Sequence, residues 1–161
     1  MRAIGNFTIA SWDANGRAVG IETGTPLSGA FIVRDVTGPD IVGRGEVLFA
    51  GAFSEAHGSG TYVAIDAFEG TILGRSGTCS FWHVNTMTRG RSGPGDGILR
   101  IVPDSGTGEL TGIRGEGEIH VVDGAHTLEL NVDFAPAETD FDGEVVAETA
   151  GEVEAGQPSE S

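Results

Sequence analysis

Residues Tyr62–Asn85, YVAIDAFEGTILGRSGTCSFWHVN, constrain the fold more than any other stretch. Two runs rich in β-branched and aromatic residues flank GRSG, which is the pattern of an antiparallel hairpin. With Arg75-Ser76 as the turn between Gly74 and Gly77, Leu73 pairs with Thr78, Phe68 with His83 and Asp66 with Asn85. Side chains along a strand alternate between faces. Tyr62, Ala64, Asp66 and Phe68 therefore share one face with Cys79, Phe81, His83 and Asn85. Val63, Ile65, Ala67 and Glu69 share the other with Ser80, Trp82 and Val84. The first face mixes aromatics with titratable groups, as small-molecule pockets do. The second reads as packing surface.

The same alternation recurs along the chain. Ala3–Trp12, Leu27–Val36 and Arg44–Ser54 read as strands before the hairpin, and Ile98–Val102, Gly117–Val122 and Ala125–Phe134 as strands after it. Turn signals separate them, among them Thr37-Gly38-Pro39-Asp40 and Asp123-Gly124. The 27 glycines follow no collagen period and read as turns between short strands. No segment shows a convincing helical pattern. The connection after Ile98–Val102 carries only Leu110 and Ile113 as apolar anchors. The expected fold is all-β, an antiparallel barrel of about eight strands with room for one small ligand. Several strands are apolar on both faces, and a closed barrel turns one of those faces outward, so a homo-oligomer is expected.

The barrel accounts for residues 1–135. Residues 136–161 carry eight acidic side chains, no basic ones and few large apolar ones, the composition of a disordered acidic tail. The net charge of −15 argues against nucleic-acid partners, because a phosphate backbone needs a basic track. All nine basic residues are arginine. The lone cysteine, Cys79, excludes an internal disulfide and suits a reducing compartment. The opening MRAIGNFTIASWD enters strand alternation without an apolar signal core, and no run is long enough to cross a membrane as a helix. A cytoplasmic protein with no membrane partner is expected.

A more specific likeness then emerges. SWD at Ser11–Asp13, YVAIDAFEGTILGRSG at Tyr62–Gly77, His83 and VPDSGTGELTGIRGEG at Val102–Gly117 occur in an order that resembles the bacterial family DUF3224. The resemblance spans roughly Ala3 to Phe134, and its most distinctive piece is SGTGELTGIRG. It implies an allene oxide cyclase-like β-barrel that often forms oligomers. Where the family commonly has Glu-Arg, this chain has Asp66-Ala67; the acidic residue usual after the WD pair is here Ala14. Arg34 stands where a basic residue is usual. The family brings no established activity; the wider barrel class includes cyclases that fold flexible substrates in the lumen.

Asp66 and His83 share the mixed face of the hairpin, and a carboxylate near an imidazole in a partly apolar lumen can act as an acid–base pair. They are the candidate catalytic residues; a structural hydrogen-bonded pair is the alternative. Trp12, Tyr62, Phe68 and Phe81 are candidates to line a pocket, or else ordinary core. Arg34 is the candidate anchor for an acidic group on the ligand, or a surface ion pair. Cys79 lacks an activating motif and reads as a small hydrophobe. The histidines have no metal-ligand spacing, and the glycine runs match no phosphate-binding pattern, so neither a metal nor a cofactor is expected. These features point to a cofactor-independent cyclase or isomerase acting on a flexible apolar small molecule, in natural-product biosynthesis for example. The alternatives are a barrel that carries a small hydrophobic ligand without turnover, and a barrel whose lumen is simply packed.

Overall fold

The computed structural model describes residues 1–15 and 19–135. Its strands are β1 (Arg2–Ala14), β2 (Leu27–Thr37), β3 (Ile41–Ser54), β4 (Ser59–Ile72), β5 (Arg75–Met87), β6 (Gly97–Ile101), β7 (Ile113–Val122) and β8 (Ala125–Phe134). Each is antiparallel to its neighbours in sequence, and β1 also pairs with β8, closing the sheet into a barrel. Closure turns the apolar faces of the strands toward one lumen and pairs every strand on both sides. The helical content of the described residues is a 3-10 turn at Gly108–Leu110. No helix among them is long and apolar enough to cross a membrane. The expected acidic tail, residues 136–161, lies outside the described residues.

The central hairpin keeps its expected faces but changes register. Ile72 pairs with Arg75, so the turn is Leu73-Gly74 and not Arg75-Ser76. Asp66 consequently lies opposite Phe81, and His83 opposite Ala64. Leu73 and Gly74 have φ of 52° and 76°, the mirror-image turn that matches strand twist. Glycine adopts that backbone freely, whereas leucine does so at a cost; Leu73 is held there by packing against the core. A leucine carries no turn signal, which is why the sequence pointed to the polar pair beyond it. The partner of Asp66 moves from Asn85 to Phe81, an even slip, so every side chain keeps its face.

The lumen is filled at one end. Phe68, Ile72, Phe81, Leu99, Leu110 and Ile113 belong to one buried cluster there. The β6–β7 connection runs back beside β5: Val102 N donates to Ser80 O at 2.8 Å, and Thr107 N to Thr78 O at 2.8 Å. This brings Leu110, fully buried, into the cluster. Close approach of β3 and β4 helps hold Phe68 inward, since a β-carbon on Gly43 would lie 2.2 Å from the Glu69 carbonyl oxygen and 2.8 Å from the Phe68 ring. A second, smaller cluster contains Ala30, Ile32, Val47 and Ala64, with Phe49 and Tyr62 packed against it. Asp66 pairs with Val47 of the small cluster and Phe81 of the large one, and His83 with Ala64 and Leu99 likewise. The polar residues therefore stand between two apolar bodies.

Two further features bear on function. β6 is five residues long and meets β7 through two residue pairs, Leu99↔Gly117 and Arg100↔Glu116. Beyond that short seam the barrel wall parts. On the outer surface, register aligns Phe31, Leu48, Ile65 and Trp82 in a row across β2 to β5. Leu48 is 66% and Ile65 52% exposed.

Candidate functional site

Three charged or titratable side chains meet inside the barrel. Arg34 (β2), Asp66 (β4) and His83 (β5) are 7%, 0% and 3% exposed. Asp66 Oδ2 lies 3.0 Å from His83 Nε2, and Asp66 Oδ1 lies 3.1 Å from Arg34 Nη1. Arg34 Nη2 is also 3.2 Å from His83 Nε2. One imidazole nitrogen cannot both donate to the carboxylate and accept from the guanidinium. The carboxylate is the stronger partner, because a hydrogen bond to an ionised acceptor is shorter and stronger. We therefore assign the ring proton to Nε2, donating to Asp66, with the Arg34 guanidinium as the carboxylate's ion-pair neighbour. Arg34 also lies 4.8 Å over the Phe7 ring, which offsets part of its desolvation.

The network is incompletely satisfied. Arg34 Nε, Asp66 Oδ1, His83 Nδ1 and Asn85 Oδ1 are buried without a hydrogen-bond partner. For Oδ1 the Arg34 nitrogen is close enough to form an ion pair but off the hydrogen-bond direction, and the Coulombic attraction remains. His83 Nδ1 has no hydrogen-bond partner among the described residues. A half-satisfied polar network in an apolar interior is worse for stability than an apolar core. Such an arrangement calls for a function or a ligand.

A cleft of about 200 Å³ opens beside it. Tyr62, His83 and Asn85 form one wall, the Ser92–Gly97 loop a second, and Leu99, Glu118, Ile119 and His120 a third. The loop is tied down by Thr86 N to Asp96 O at 2.9 Å, and the turn that leads into it by Gly90 N to Gly58 O at 2.7 Å. The cleft exists because β6 separates from β7 above their short seam. Tyr62 sets its ring edge-on to His83, with centroids 5.3 Å apart. Burial raises the Tyr62 phenol above its usual range; Arg34 opposes the shift and Asp66 adds to it. The hydroxyl thus stays protonated at neutral pH.

Of the residues singled out in the sequence, Arg34, Asp66, His83 and Tyr62 come together. Phe68 and Phe81 instead sit in the packed end of the lumen. Trp12 is 50% exposed and packs on Phe49 in a tilted arrangement, centroids 5.0 Å apart, and does not line the cleft. Asn85 is the site residue that sequence reasoning left unassigned. Its signal was present: it lies two residues beyond His83, on the same strand face. Arg34 is buried within the site, not at the surface. Among the described residues no three His, Cys, Asp or Glu side chains group as metal ligands.

Cys79 is buried and free, and burial pushes its thiol up to about 11. An acid whose folded pKa exceeds its unfolded value destabilises the fold as pH rises between the two. The Cys79 contribution to native stability is therefore expected to fall by roughly 2–3 kcal/mol between pH 9 and 11, and Cys79→Ala to remove that part of the alkaline limb, leaving the part due to Tyr62 above pH 10. Urea unfolding across that range checks it; an unchanged alkaline limb in the variant would show that Cys79 is not its source.

A closed antiparallel barrel enclosing a buried Arg–Asp–His network beside a solvent-facing cleft defines a small barrel with a built internal polar site. The chain belongs to the family described as "Protein of unknown function (DUF3224)", whose model matches residues 3–132. It is similar to the crystal structure of a DUF3224-family protein of unknown function from Shewanella oneidensis MR-1. That likeness has 28% identity and a TM-score of 0.75, and it covers 85% of this chain and 98% of that one. No curated protein matches the chain.

Proposed function

We propose that this protein is a cofactor-independent enzyme of the isomerase or cyclase class, using His83 as a general base on a small molecule held in the cleft. The observation that carries this reading is the orphaned Nδ1 of His83: buried, unpartnered and belonging to a cleft-lining ring whose other nitrogen is held by Asp66. In this arrangement Asp66 fixes the tautomer and stabilises the imidazolium that forms on proton abstraction, and Arg34 keeps the carboxylate in place. The imidazolium can return the proton at a neighbouring atom, which is the proton economy of an isomerisation. The cleft, at about 200 Å³, suits a one- or two-ring molecule rather than a long chain. Kinship with allene oxide cyclase-like barrels is part of the same proposal, as is a cytoplasmic setting, which the single buried thiol supports.

Proton abstraction is tested with 5-nitrobenzisoxazole. Loss of its ring C–H proton to a base forms the nitrile as the N–O bond breaks, and releases a coloured phenolate. Wild type is expected to open this ring faster than an equal concentration of free imidazole, with saturation. A rate no higher than that of free imidazole would overturn the base assignment. Saturable binding without acceleration would favour the carrier reading.

Self-association belongs to the proposal as well. The outer row of exposed Phe31, Leu48 and Ile65 with half-buried Trp82 supports a second copy of the chain as its cover. Light scattering is expected to give a mass above one chain for wild type and a single-chain mass for Leu48→Asp/Ile65→Asp. A wild-type protein of single-chain mass would remove this part of the reading.

A further inference from the structure

The structure assigns to the cleft a ligand that carries at least two hydrogen-bond donors on one edge and no negative charge: an amide, urea, amidine or comparable group on a small ring. This inference rests on the cleft being the functional site, and it narrows the ligand from apolar to donor-bearing. Two buried acceptors lack partners there, His83 Nδ1 and Asn85 Oδ1. Nδ1 is an acceptor because Nε2 holds the ring proton against Asp66, 3.0 Å away. Both residues line the cleft, and His83 is 3% exposed. They sit two residues apart on β5 and so on one face, with backbones about 6–7 Å apart. Two N–H groups of one planar unit can bridge side-chain acceptors that converge from that spacing.

A ligand lacking donors leaves both acceptors buried and unpaired, the costly side of hydrogen-bond asymmetry. An anion fares worse. It would face two lone pairs, Glu118 on the rim and a chain of net charge −15. The protonated Tyr62 hydroxyl leaves room for one acceptor on the ligand, such as an amide carbonyl.

The test compares benzamide and benzamidinium, which have paired N–H donors, with N,N-dimethylbenzamide and benzoate, which have none. Titrations are followed by amide shifts in the full chain. Benzamide is expected to bind at least about tenfold tighter than dimethylbenzamide or benzoate, as one lost buried hydrogen bond corresponds to about that factor. Asn85→Leu is expected to erase most of this preference, and Asn85→Asp, which keeps an acceptor, to retain it. Equal affinities across the four compounds, tighter binding of benzoate, or a preference untouched by Asn85→Leu would each overturn the inference. Failure here with intact ring opening of 5-nitrobenzisoxazole would leave the base assignment standing. The converse pattern would leave a donor-binding cleft without the catalysis.

Discussion

Asp66→Ala is expected to destabilise the fold by about 3–5 kcal/mol, because it leaves Arg34 a buried cation without its carboxylate. Asp66 has no exposed surface and holds both partners, Arg34 at 3.1 Å and His83 at 3.0 Å. Arg34 and Asp66 are buried between two apolar clusters, so water re-solvates the uncovered guanidinium poorly. The triple change Arg34→Met/Asp66→Leu/His83→Phe removes the charges together, and is expected to be as stable as wild type or more so. Urea unfolding of both proteins checks this. A loss below about 1 kcal/mol for Asp66→Ala would mean that the three side chains are not coupled. A stable triple variant with no activity would show that the triad is kept for what it does, not for holding the barrel together.

His83→Gln is expected to lower kcat for ring opening of 5-nitrobenzisoxazole by about 10²–10⁴, the usual span for a lost general base, with KM little changed. Glutamine keeps polarity and approximate length but has no basic nitrogen. Asp66→Asn is expected to produce a loss of similar size by another route. Its amide can donate to Nε2 and thereby move the ring proton to Nδ1, where it blocks the base. The same asparagine keeps the site polar and should cost less stability than alanine. A KM effect with unchanged kcat in His83→Gln would make the histidine a binding group only.

Most of the architecture was legible because it rests on period-two alternation and glycine turns. At Asp123-Gly124 the pairing of Val122 with Ala125 follows directly from the turn chemistry. At Leu73-Gly74 it did not, because tertiary packing holds a leucine in a backbone region that leucine avoids. The face shared by Asp66 and His83 was readable nonetheless, since parity survives an even slip. Arg34 was placed in the site as a ligand anchor, but its pairing with Asp66 and His83 was not readable; that depends on β2 coming within reach of β4 across the closed barrel. The cleft was not readable at all. It arises where β6 stops pairing with β7 and the Ser92–Gly97 loop folds over the gap, and neither event has a local sequence signature. Phe68 and Phe81 have the composition of pocket walls, yet the β6–β7 connection delivers Leu110 to their end of the lumen and helps fill it.

The central claim is that Asp66 holds His83 with its proton on Nε2, leaving Nδ1 as a bare acceptor at the cleft. Long-range proton–nitrogen correlation on the selectively labelled imidazole measures this directly, at a pH well above the ordinary histidine range of about 6.5. Nε2 is expected to be protonated and Nδ1 unprotonated, with the Nδ1 signal alone moving strongly when benzamide is added. A ring proton on Nδ1 would contradict it: His83 would then face the cleft as a donor, and both the base and the ligand chemistry assigned here would fall.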